Sequence, residues 1–443
     1  MPIKGQKFTS YIDIMDDLKI AIAGVGTVGN GVLVLLKKNR KKIENKIGKK
    51  IKITAIASRK SRDFTGFKKT KIFSDANSFL NFSDYDLLIE LIGGSDGIAK
   101  EIVIDALKKK KNVITANKAL ISKHGNFILK LAHSQNVFVG YEASVAGGIP
   151  IITIINNFLV SNTIKKISGI LNGTSNYILS KMLETKKDFK TILNDAKAHG
   201  YAESDPSFDI NGMDTAHKLS IMSSISFNNK IDLEKVFVSG IENIKYTDLK
   251  YADELGFRIK LLGLTKIVRS KVMQFVYPSL VNKKSLLGNV DNVFNGIIIE
   301  TDSSKKFFFQ GEGAGALPTA TSVLADLERI SLTKYSKQNY QNTKTLTMKD
   351  YFKIDERYGS YYFRIKTFDV AGVIADISKI LKKFNISIKS LYQKDNAEKN
   401  KNEVNIVITT HNCEEKNVCK AINLIDNLVS TKERVVIYRI EIT

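Results

Sequence analysis

The sequence has few cysteines and no long apolar run, and each absence excludes a class of protein. Its 443 residues include only two cysteines, Cys413 and Cys419. They have no neighbours at metal-ligand spacing, so the sequence predicts neither a disulfide framework nor a zinc site. No segment reaches the roughly 18 uninterrupted apolar residues of a membrane-spanning helix. The amino-terminal stretch lacks the apolar region of a signal peptide, so we expect a cytoplasmic protein.

Acidic residues are also outnumbered. The chain has 68 Lys and Arg against 45 Asp and Glu, a formal net charge of +23. Such an excess is typical of nucleic-acid-binding proteins. Here, however, the lysines are scattered in pairs and short runs, as at 108–111, with no interleaved aromatic residues. We therefore predict no nucleic-acid partner, and expect the basic surface to attract an anionic cofactor.

What the sequence does contain, from residue 18 onward, is an apolar strand followed by a glycine-rich turn and a helical pattern. The turn has the form G-x-G-x-x-G. Glycines allow a tight turn and close approach of the backbone to a pyrophosphate, which the start of the helix receives. The sequence therefore predicts a dinucleotide site at Gly24, Gly26, Thr27, Val28 and Gly29.

The second predicted strand, 51–58, is followed by Arg59 and Lys60. A site that prefers NAD usually offers an acidic residue here, whereas a basic residue can pair with the 2′-phosphate of NADP. We therefore expect NADP as the cofactor, with NAD still compatible. The alternative is that Arg59 is a solvated loop residue.

A lysine follows the later strand 112–115 in the sequence Thr115-Ala116-Asn117-Lys118. Ligands bind at the carboxyl edge of an open α/β sheet, so Lys118 is expected beside the nicotinamide. A solvated lysine at the end of a strand is the alternative.

The stretch 198–219 concentrates acid around one lysine; its charged residues include Glu203, Asp205, Asp209, Asp214 and Lys218. Asn211 is expected to cap a helix, with Asp214 in a capping-box position. Asp214 and Lys218 are then one turn apart on the same face. One interpretation is a solvated loop with a surface ion pair. The other is a pocket whose carboxylates receive an ammonium group and hold the lysine protonated as an acid.

Residues 200–218 read G-Y-A-E-x-D-P-x-x-D-x-x-G-x-D-x-x-x-K. This pattern closely resembles the signature of homoserine dehydrogenases, which interconvert L-aspartate 4-semialdehyde and L-homoserine with a nicotinamide cofactor in threonine and methionine biosynthesis. With this resemblance, Lys218 is expected to donate the proton, assisted by Lys118 and oriented by Asp214. Substrate binding is expected from Glu203, Asp209, Tyr201 and Thr174, with Glu203 receiving the α-ammonium group.

The segment 142–150 is similar to a family segment that holds a sodium ion. The resemblance implies as ligands the Glu142 side chain and the carbonyls of Val145, Gly147 and Ile149. Oxygen ligands of this kind suit a hard cation. From the residues alone, a hinge between domains is an equal alternative, and the two are compatible.

Residues 151–310 predict a mixed sheet covered by helices, with a free face for dimerisation; the pattern at 255–264 indicates a helix. The segment around Gly315, followed by a helix at 316–330, is similar to the family segment that returns to close the nucleotide domain. The polar stretch 337–359 is expected to be a linker with no core shared between the parts it joins.

Beyond the linker, the order strand-helix-strand-strand-helix-strand is ferredoxin-like. It resembles an ACT domain, a module that often binds an amino acid. The usual proline of its D-x-P-G loop is replaced by Ala371. An amino-acid effector is therefore an open expectation.

Together these patterns predict an α/β protein with three parts: a Rossmann-type NAD(P)-binding domain at 15–150 plus 311–340, an α+β substrate and dimerisation domain at 151–310, and a ferredoxin-like ACT domain at 360–443. We expect a monofunctional homoserine dehydrogenase, assembled as a homodimer or homotetramer. A catalytically silent amino-acid sensor is the alternative, although it would have no use for Lys218.

Overall fold

The computed structural model describes residues 17–59, 69–332, 346, 349–394 and 402–443. Its strands are β1 (Asp17–Ala23), β2 (Lys50–Ala57), β3 (Lys71–Phe73), β4 (Leu87–Glu90), β5 (Asn112–Thr115), β6 (Val139–Gly140), β7 (Ile164–Ile170), β8 (Phe237–Val238), β9 (Phe257–Val268), β10 (Lys271–Asn282), β11 (Phe294–Thr301), β12 (Lys306–Glu312), β13 (Tyr358–Phe368), β14 (Ile388–Gln393), β15 (Glu403–Thr410), β16 (Cys413–Glu414) and β17 (Val436–Glu441).

The helices alternate with these strands in the first part of the chain and lie on both sheets in the rest. They are α1 (Thr27–Ile47), α2 (Ile98–Lys108), α3 (Lys118–Gln135), α4 (Ile151–Thr153), α5 (Gly173–Thr185), α6 (Phe189–Ala198), α7 (Ser207–Ile210), α8 (Met213–Phe227), α9 (Tyr246–Glu254), α10 (Ala316–Leu332), α11 (Val373–Lys383) and α12 (Glu415–Asp426). Among the described residues, no helix combines the length and apolar character needed to cross a membrane.

The first sheet has six strands in the order β3-β2-β1-β4-β5-β6, all parallel. Its central strands are apolar on both faces, as expected where helices cover both sides. This confirms the Rossmann-like fold. The strand order reverses between β1 and β4, and ligands bind at such a switch point.

Helix α10 returns from much later in the chain to pack on α1. A Cβ atom at Gly31 would collide with the carbonyl of Ala316, so glycine permits this close contact. Lys46 and Glu328 form an ion pair of 2.9 Å between the two helices. This packing agrees with a discontinuous first domain, whose exact bounds remain a prediction.

The second sheet has eleven strands, nine of them in the order β12-β11-β7-β9-β10-β17-β13-β15-β14. Strand β10 pairs antiparallel with β9 along its whole length and parallel with β17 through residues 279–281. The last four strands of the series come from the carboxyl-terminal module, whose order β17-β13-β15-β14 is that of a ferredoxin-like fold. One sheet therefore extends through both parts of the chain.

Two expectations about this region are wrong. Residues 255–264, expected to be helical, lie mostly in β9, because neighbouring strands on both sides supply pairing that periodicity does not reveal. The described part of the expected linker, 349–359, is structured: Phe352 is buried and donates its N–H to Val272 of β10. Tyr362 and Tyr438 of the module also belong to the main core cluster, so a core is shared after all.

Candidate active site

The glycine-rich turn lies at the carboxyl end of β1, beside the switch point. Gly24 has φ +98°, and a Cβ there would lie 2.6 Å from the carbonyl oxygen of Leu91 after β4. A Cβ at Gly26 would meet open space, and a Cβ at Gly29 would collide with the Gly24 carbonyl. The first turn of α1, with Thr27 and Val28, has no acidic residue and no side-chain cap. Gly24 and Gly29 thus fix the turn, while Gly26 leaves room for a pyrophosphate at the helix start.

Arg59 is exposed two residues beyond the end of β2. The preceding strand is tied to the glycine turn, because the N–H of Gly24 donates to the carbonyl of Ala57 at 3.0 Å. Arg59 therefore lies at the same edge as the turn, as a residue facing the adenosine ribose must. Lys60, the other expected basic residue, lies outside the described residues.

The cleft edge also contains Glu90, which the sequence patterns did not single out. Its buried carboxylate accepts hydrogen bonds from the N–H groups of Ile92 and Gly93 at 2.7 and 3.2 Å, and from the Thr115 hydroxyl at 2.5 Å. Burial raises its pKa. Asn117 donates to the carbonyl of Gly94 at 2.7 Å. These contacts hold the loop after β4 to the loop after β5, beside the glycine turn.

Lys118 is the first residue of α3 and follows directly from β5 through that loop. Asn117 caps the helix by accepting the N–H of Leu120 at 3.0 Å. The side chain of Lys118 is about one-third exposed, and its Nζ lies 2.5 Å from Oδ1 of Asp214. The two motifs around Lys118 and Asp214, nearly a hundred residues apart in sequence, therefore meet at one point.

Helix α8 begins differently from the expectation. Its N-cap is Gly212, in the left-handed conformation with φ +87°, and no capping box forms. The Asn211 side chain instead accepts the N–H of Met213 at 2.9 Å. Asp214 does not cap the helix, because its carboxylate binds Lys118, Lys218 and Asn172 instead. The expected pairing of Asp214 with Lys218 does occur, at 2.7 Å.

This ion pair is buried, which decides against a solvated surface pair. Asp214 is 1% exposed and Lys218 is 7% exposed. The Nζ of Lys218 donates to Oδ2 of Asp214 at 2.7 Å and to the carbonyl of Leu171 at 2.6 Å. An ammonium group has three donors, so one remains for another acceptor. Lys118, Asp214 and Lys218 thus form a charge cluster with a single carboxylate between two ammonium groups.

The cluster separates the pKa values of the two lysines. Burial and the charge of Lys118 lower the pKa of Lys218, although Asp214 opposes them. Burial also acts to lower the pKa of Lys118. The carboxylates of Asp214, Asp209 and Glu203 outweigh this effect of burial, so the pKa of Lys118 is raised. Despite burial, the two lysines hold the pKa of Asp214 well below its ordinary value. Lys218 is therefore the lysine that gives up a proton more readily.

Asn172 organises the carboxylates, a role the sequence did not reveal. Its Nδ2 donates to Asp209 and to Asp214, both at 2.8 Å, while its Oδ1 accepts the N–H of Ser175 and caps α5. Burial and the neighbouring Asp214 raise the pKa of Asp209. Only the fold shows where the Asn172 amide points, because Asn172 is distant in sequence from both Asp209 and Asp214.

Two of the expected substrate residues, Tyr201 and Glu203, lie on the loop before α7, whereas Thr174 lies in the first turn of α5 and Asp209 lies in α7. Glu203 is exposed and forms no hydrogen bond or ion pair within the described part of the chain, yet it contributes to the raised pKa of Lys118. Thr174 donates its hydroxyl to the Tyr201 carbonyl at 2.7 Å, and Tyr201 packs on Tyr177 with ring centroids 4.8 Å apart. Thr174 and Tyr201 thus hold the loop that carries the exposed Glu203.

A second contact fixes the two lysine-bearing helices relative to each other. Ser122 of α3 forms a short hydrogen bond with Nδ1 of His217 of α8. Burial lowers the pKa of His217 to about 4, so the imidazole is neutral near pH 7. The centroid of the Phe208 ring lies 5.1 Å from that of His217 and 5.6 Å from the Nζ of Lys118. No sequence spacing links these residues, because they come from three separate helices.

The segment expected to hold sodium connects the two sheets. Glu142 is fully buried, and its carboxylate accepts the N–H groups of Ile152 and Thr153 at 2.8 Å and the Thr153 hydroxyl at 2.5 Å. The Gly147 carbonyl accepts the Ser322 hydroxyl at 2.6 Å. Within the described residues, no three His, Cys, Asp or Glu side chains group as a metal site. The Glu142 carboxylate therefore binds the N–H groups at the start of α4.

Gly315, the remaining expected cofactor residue, has φ +118° and directly precedes α10. Its carbonyl accepts the N–H of Thr319 within the first turn of that helix. The residue thus shapes the approach of α10 to the first sheet.

Comparison with known proteins agrees with this geometry. The family model for the homoserine dehydrogenase NAD binding domain matches residues 24–142, and the model for homoserine dehydrogenase matches residues 150–327. The homoserine dehydrogenase of Neisseria gonorrhoeae is 38% identical over 442 residues, covering 96% of this chain and 99% of the relative. That of Pseudomonas aeruginosa is 37% identical over 435 residues, with the same coverage.

Solved structures agree as well. The crystal structure of a homoserine dehydrogenase from Thiobacillus denitrificans is similar with a TM-score of 0.90 at 35% sequence identity, covering 96% of this chain and 99% of that one.

Proposed function

The chain belongs to the homoserine dehydrogenase family and is an NAD(P)-dependent oxidoreductase, and we propose that it reduces L-aspartate 4-semialdehyde to L-homoserine with NADPH. The observation that carries this proposal is the buried ammonium group of Lys218, held by the Leu171 carbonyl and by Asp214, which also binds Lys118 beyond the end of β5. A catalytically silent sensor would have no need to bury a lysine in this state.

The bound cofactor would supply a hydride to the aldehyde carbon, and negative charge would then grow on the carbonyl oxygen. Lys218 has one N–H donor left after its contacts with Asp214 and Leu171, so it can donate a proton to that oxygen. The lowered pKa of Lys218 favours the transfer. Lys118, with its raised pKa, stays charged beside the same carboxylate and stabilises the developing anion.

Substrate orientation follows from the acidic residues. We assign the α-ammonium group of the substrate to Glu203, whose carboxylate is exposed next to the cluster. Asp209 lies deeper, joined to Asp214 through the Asn172 amide, and would fix the other side of the amino-acid head. Tyr201 and Thr174 hold the loop that carries Glu203.

For the cofactor, we propose NADP over NAD on the strength of Arg59. It is the exposed cation at the end of β2, where the ribose of a bound dinucleotide lies in folds of this type. Gly24, Gly26 and Gly29 would receive the pyrophosphate on the uncapped start of α1.

We further propose a sodium ion at Glu142 and the carbonyls of Val145, Gly147 and Ile149. Ala146 and Gly147 both have positive φ, 56° and 50°, a conformation that turns successive carbonyls. Burial raises the pKa of Glu142, and a cation beside it would keep the carboxylate ionised. All four ligands are oxygens, as a hard cation requires.

The sodium proposal is tested by thermal unfolding in sodium chloride against choline chloride at equal ionic strength. We expect a higher Tm in sodium for the unmodified chain and no difference for Glu142→Gln. Equal behaviour of both salts with the unmodified chain would remove the proposal.

The carboxyl-terminal module is proposed to be an ACT domain. Its order of elements fits, and Asp369 to Val373 border a cavity of about 400 Å³ in front of α11. We propose that an amino-acid effector binds in this cavity and that the chain assembles as a dimer or tetramer. We also propose a reducing cytoplasm as its location, which is consistent with the free cysteines Cys413 and Cys419. Titrating threonine and other amino acids against turnover, with gel filtration for the assembly, tests both.

The proposed activity itself is tested by following NADPH oxidation with L-aspartate 4-semialdehyde. Turnover should require this substrate and should be far slower with aldehydes that lack the α-ammonium group. Absence of turnover with both NADPH and NADH would contradict the proposal and favour a sensor.

A further inference from the structure

A cavity of about 290 Å³ lies where the carboxyl-terminal module joins the second sheet. Its walls include Lys166 of β7, Lys266 of β9, Met273 of β10, Phe352, and Arg357 just before β13. None of its lining residues belongs to the charge cluster, the glycine turn or the loop 369–373. Its volume is near the lower limit for small-molecule sites.

Arg357 is a buried cation with an unsatisfied donor. Its Nη2 donates to Glu441 at 2.8 Å and its Nε donates to the Tyr277 hydroxyl at 3.3 Å. Among the described residues, no acceptor contacts its buried Nη1. The guanidinium packs against Gly359, where a Cβ would lie 2.8 Å from it. Because Nη1 is itself buried, a ligand in the cavity cannot reach it, and Arg357 contributes positive charge to the cavity wall without offering a free hydrogen-bond donor.

Two lysines lie across from each other on the same wall. Lys166 and Lys266 are direct partners in the antiparallel register of β7 and β9. Like charges in this position repel each other. Burial and the charge of Lys166 lower the pKa of Lys266, which has no hydrogen bond or ion pair with any described residue. An anion between the two ammonium groups would relieve the repulsion.

The carboxylates near the cavity already have cationic partners. Glu441 accepts from Arg357 and from the Tyr277 hydroxyl. Glu356 pairs with Lys271 at 3.2 Å. Lys166 donates to the Ile442 carbonyl at 3.0 Å and has Glu300 as its register partner on β11, so Lys266 is the lysine left for a ligand. Met273 and Phe352 offer that ligand an apolar surface.

We propose that this cavity binds a small organic carboxylate, with its charged group held by Lys166 and Lys266 near the positive charge of Arg357 and its apolar part against Met273 and Phe352. Such a ligand would touch both β10 and the end of β17, the two strands that join the module to the sheet. It would therefore stabilise the joined form and couple its own concentration to the stability of that junction.

The test uses the full chain and butyrate as the probe, with butylammonium and inorganic phosphate as comparisons. Binding is measured by calorimetry and by the change in Tm. We expect butyrate to bind and raise Tm, and butylammonium to do neither. Lys266→Met and Lys166→Met should each weaken butyrate binding about tenfold, because each removes a charged hydrogen-bond donor. Lys165→Met, an exposed neighbour on β7, is the matched control.

Three results would overturn the proposal. Unchanged butyrate affinity in both Lys266→Met and Lys166→Met would show that the probe binds elsewhere. Equal binding of butylammonium would show that apolar contact, and not the anionic group, drives association. Binding of phosphate without butyrate would overturn the assignment to an organic carboxylate.

Discussion

Lys118 and Lys218 approach opposite oxygens of the same carboxylate, that of Asp214, at 2.5 and 2.7 Å. One carboxylate thus holds two ammonium groups that repel each other. The more buried ammonium group, that of Lys218, loses its proton more easily. On this basis we propose different tasks for the two lysines, with Lys218 as the proton donor and Lys118 as the permanent positive charge.

Removal of the donor should slow turnover without loss of cofactor binding. Lys218→Met keeps the volume of the buried side chain but deletes the acid, so kcat for aldehyde reduction should fall by at least about 100-fold. NADPH affinity, measured by fluorescence titration, should stay near that of the unmodified chain. Lys187→Met, on the exposed surface, is the control. An unchanged kcat in Lys218→Met would assign the proton to another group.

The pH profile tests how the cluster sets the pKa of Lys218. Aldehyde reduction needs the protonated lysine, so the rate should fall as pH rises through a pKa below the ordinary 10.5. Lys118→Met removes a repelling charge and should move this alkaline limb to higher pH. Asp214→Asn removes the attraction and should move the limb to lower pH. Shifts of the same sign in both variants would contradict the assignment.

Substrate recognition is tested at Glu203. Glu203→Gln keeps the shape of the loop but removes the charge that we assign to the α-ammonium group. The KM for L-aspartate 4-semialdehyde should rise at least tenfold, as expected for a lost charged hydrogen bond worth about 1.5 to 3 kcal/mol. The KM for NADPH should change little. A parallel rise in both constants would indicate a distorted loop, and Glu234→Gln serves as the exposed control.

Cofactor preference is tested with two charge reversals, one just beyond the end of β2 and one within it. Arg59→Asp should weaken NADPH through repulsion of the 2′-phosphate and leave NADH nearly unchanged. Lys52→Asp makes a similar change of charge on an exposed residue nearer the other end of β2 and should affect neither cofactor. If Arg59→Asp and Lys52→Asp weaken NADPH equally, the effect comes from the overall basic field.

The parts of this fold that were predictable are those with local causes. The glycine turn, the helix cap at Asn172 and the pairing of Asp214 with Lys218 each follow from spacings of a few residues. The helix predicted at 255–264 was wrong, because an apolar run buried on both faces shows no hydrophobic periodicity that separates a helix from a strand. Pairing between β9 and β10 made the segment a strand.

The centre of the site depended on contacts between distant segments. Sequence spacing cannot show that Asn172 bridges Asp209 and Asp214, or that Ser122 contacts His217. Glu90 was missed for a related reason, since an acid inside an apolar strand gives no sign of the donors that fold over it. A buried polar residue at a strand end is the signal that could have drawn attention to it.

The junction of the module with the second sheet gives the last prediction. Arg364 of β13 pairs with Asp248 of α9 at 2.5 Å, and both side chains are buried. Arg364→Met would leave the Asp248 carboxylate buried without its partner, at a cost of about 3 to 5 kcal/mol in the free energy of unfolding. Lys366→Met, on the same strand but in a half-exposed pair, should cost at most about 1 kcal/mol.

Denaturant unfolding of the full chain measures the difference between these two variants. For the same reason, a chain ending near residue 345, which would keep its turnover if the two parts shared no core, should lose stability and activity together. It would expose the edge of β10 that pairs with β17 and remove Tyr362 and Tyr438 from the main core. A truncated chain with unchanged Tm and kcat would show that the shared sheet contributes nothing to the catalytic part.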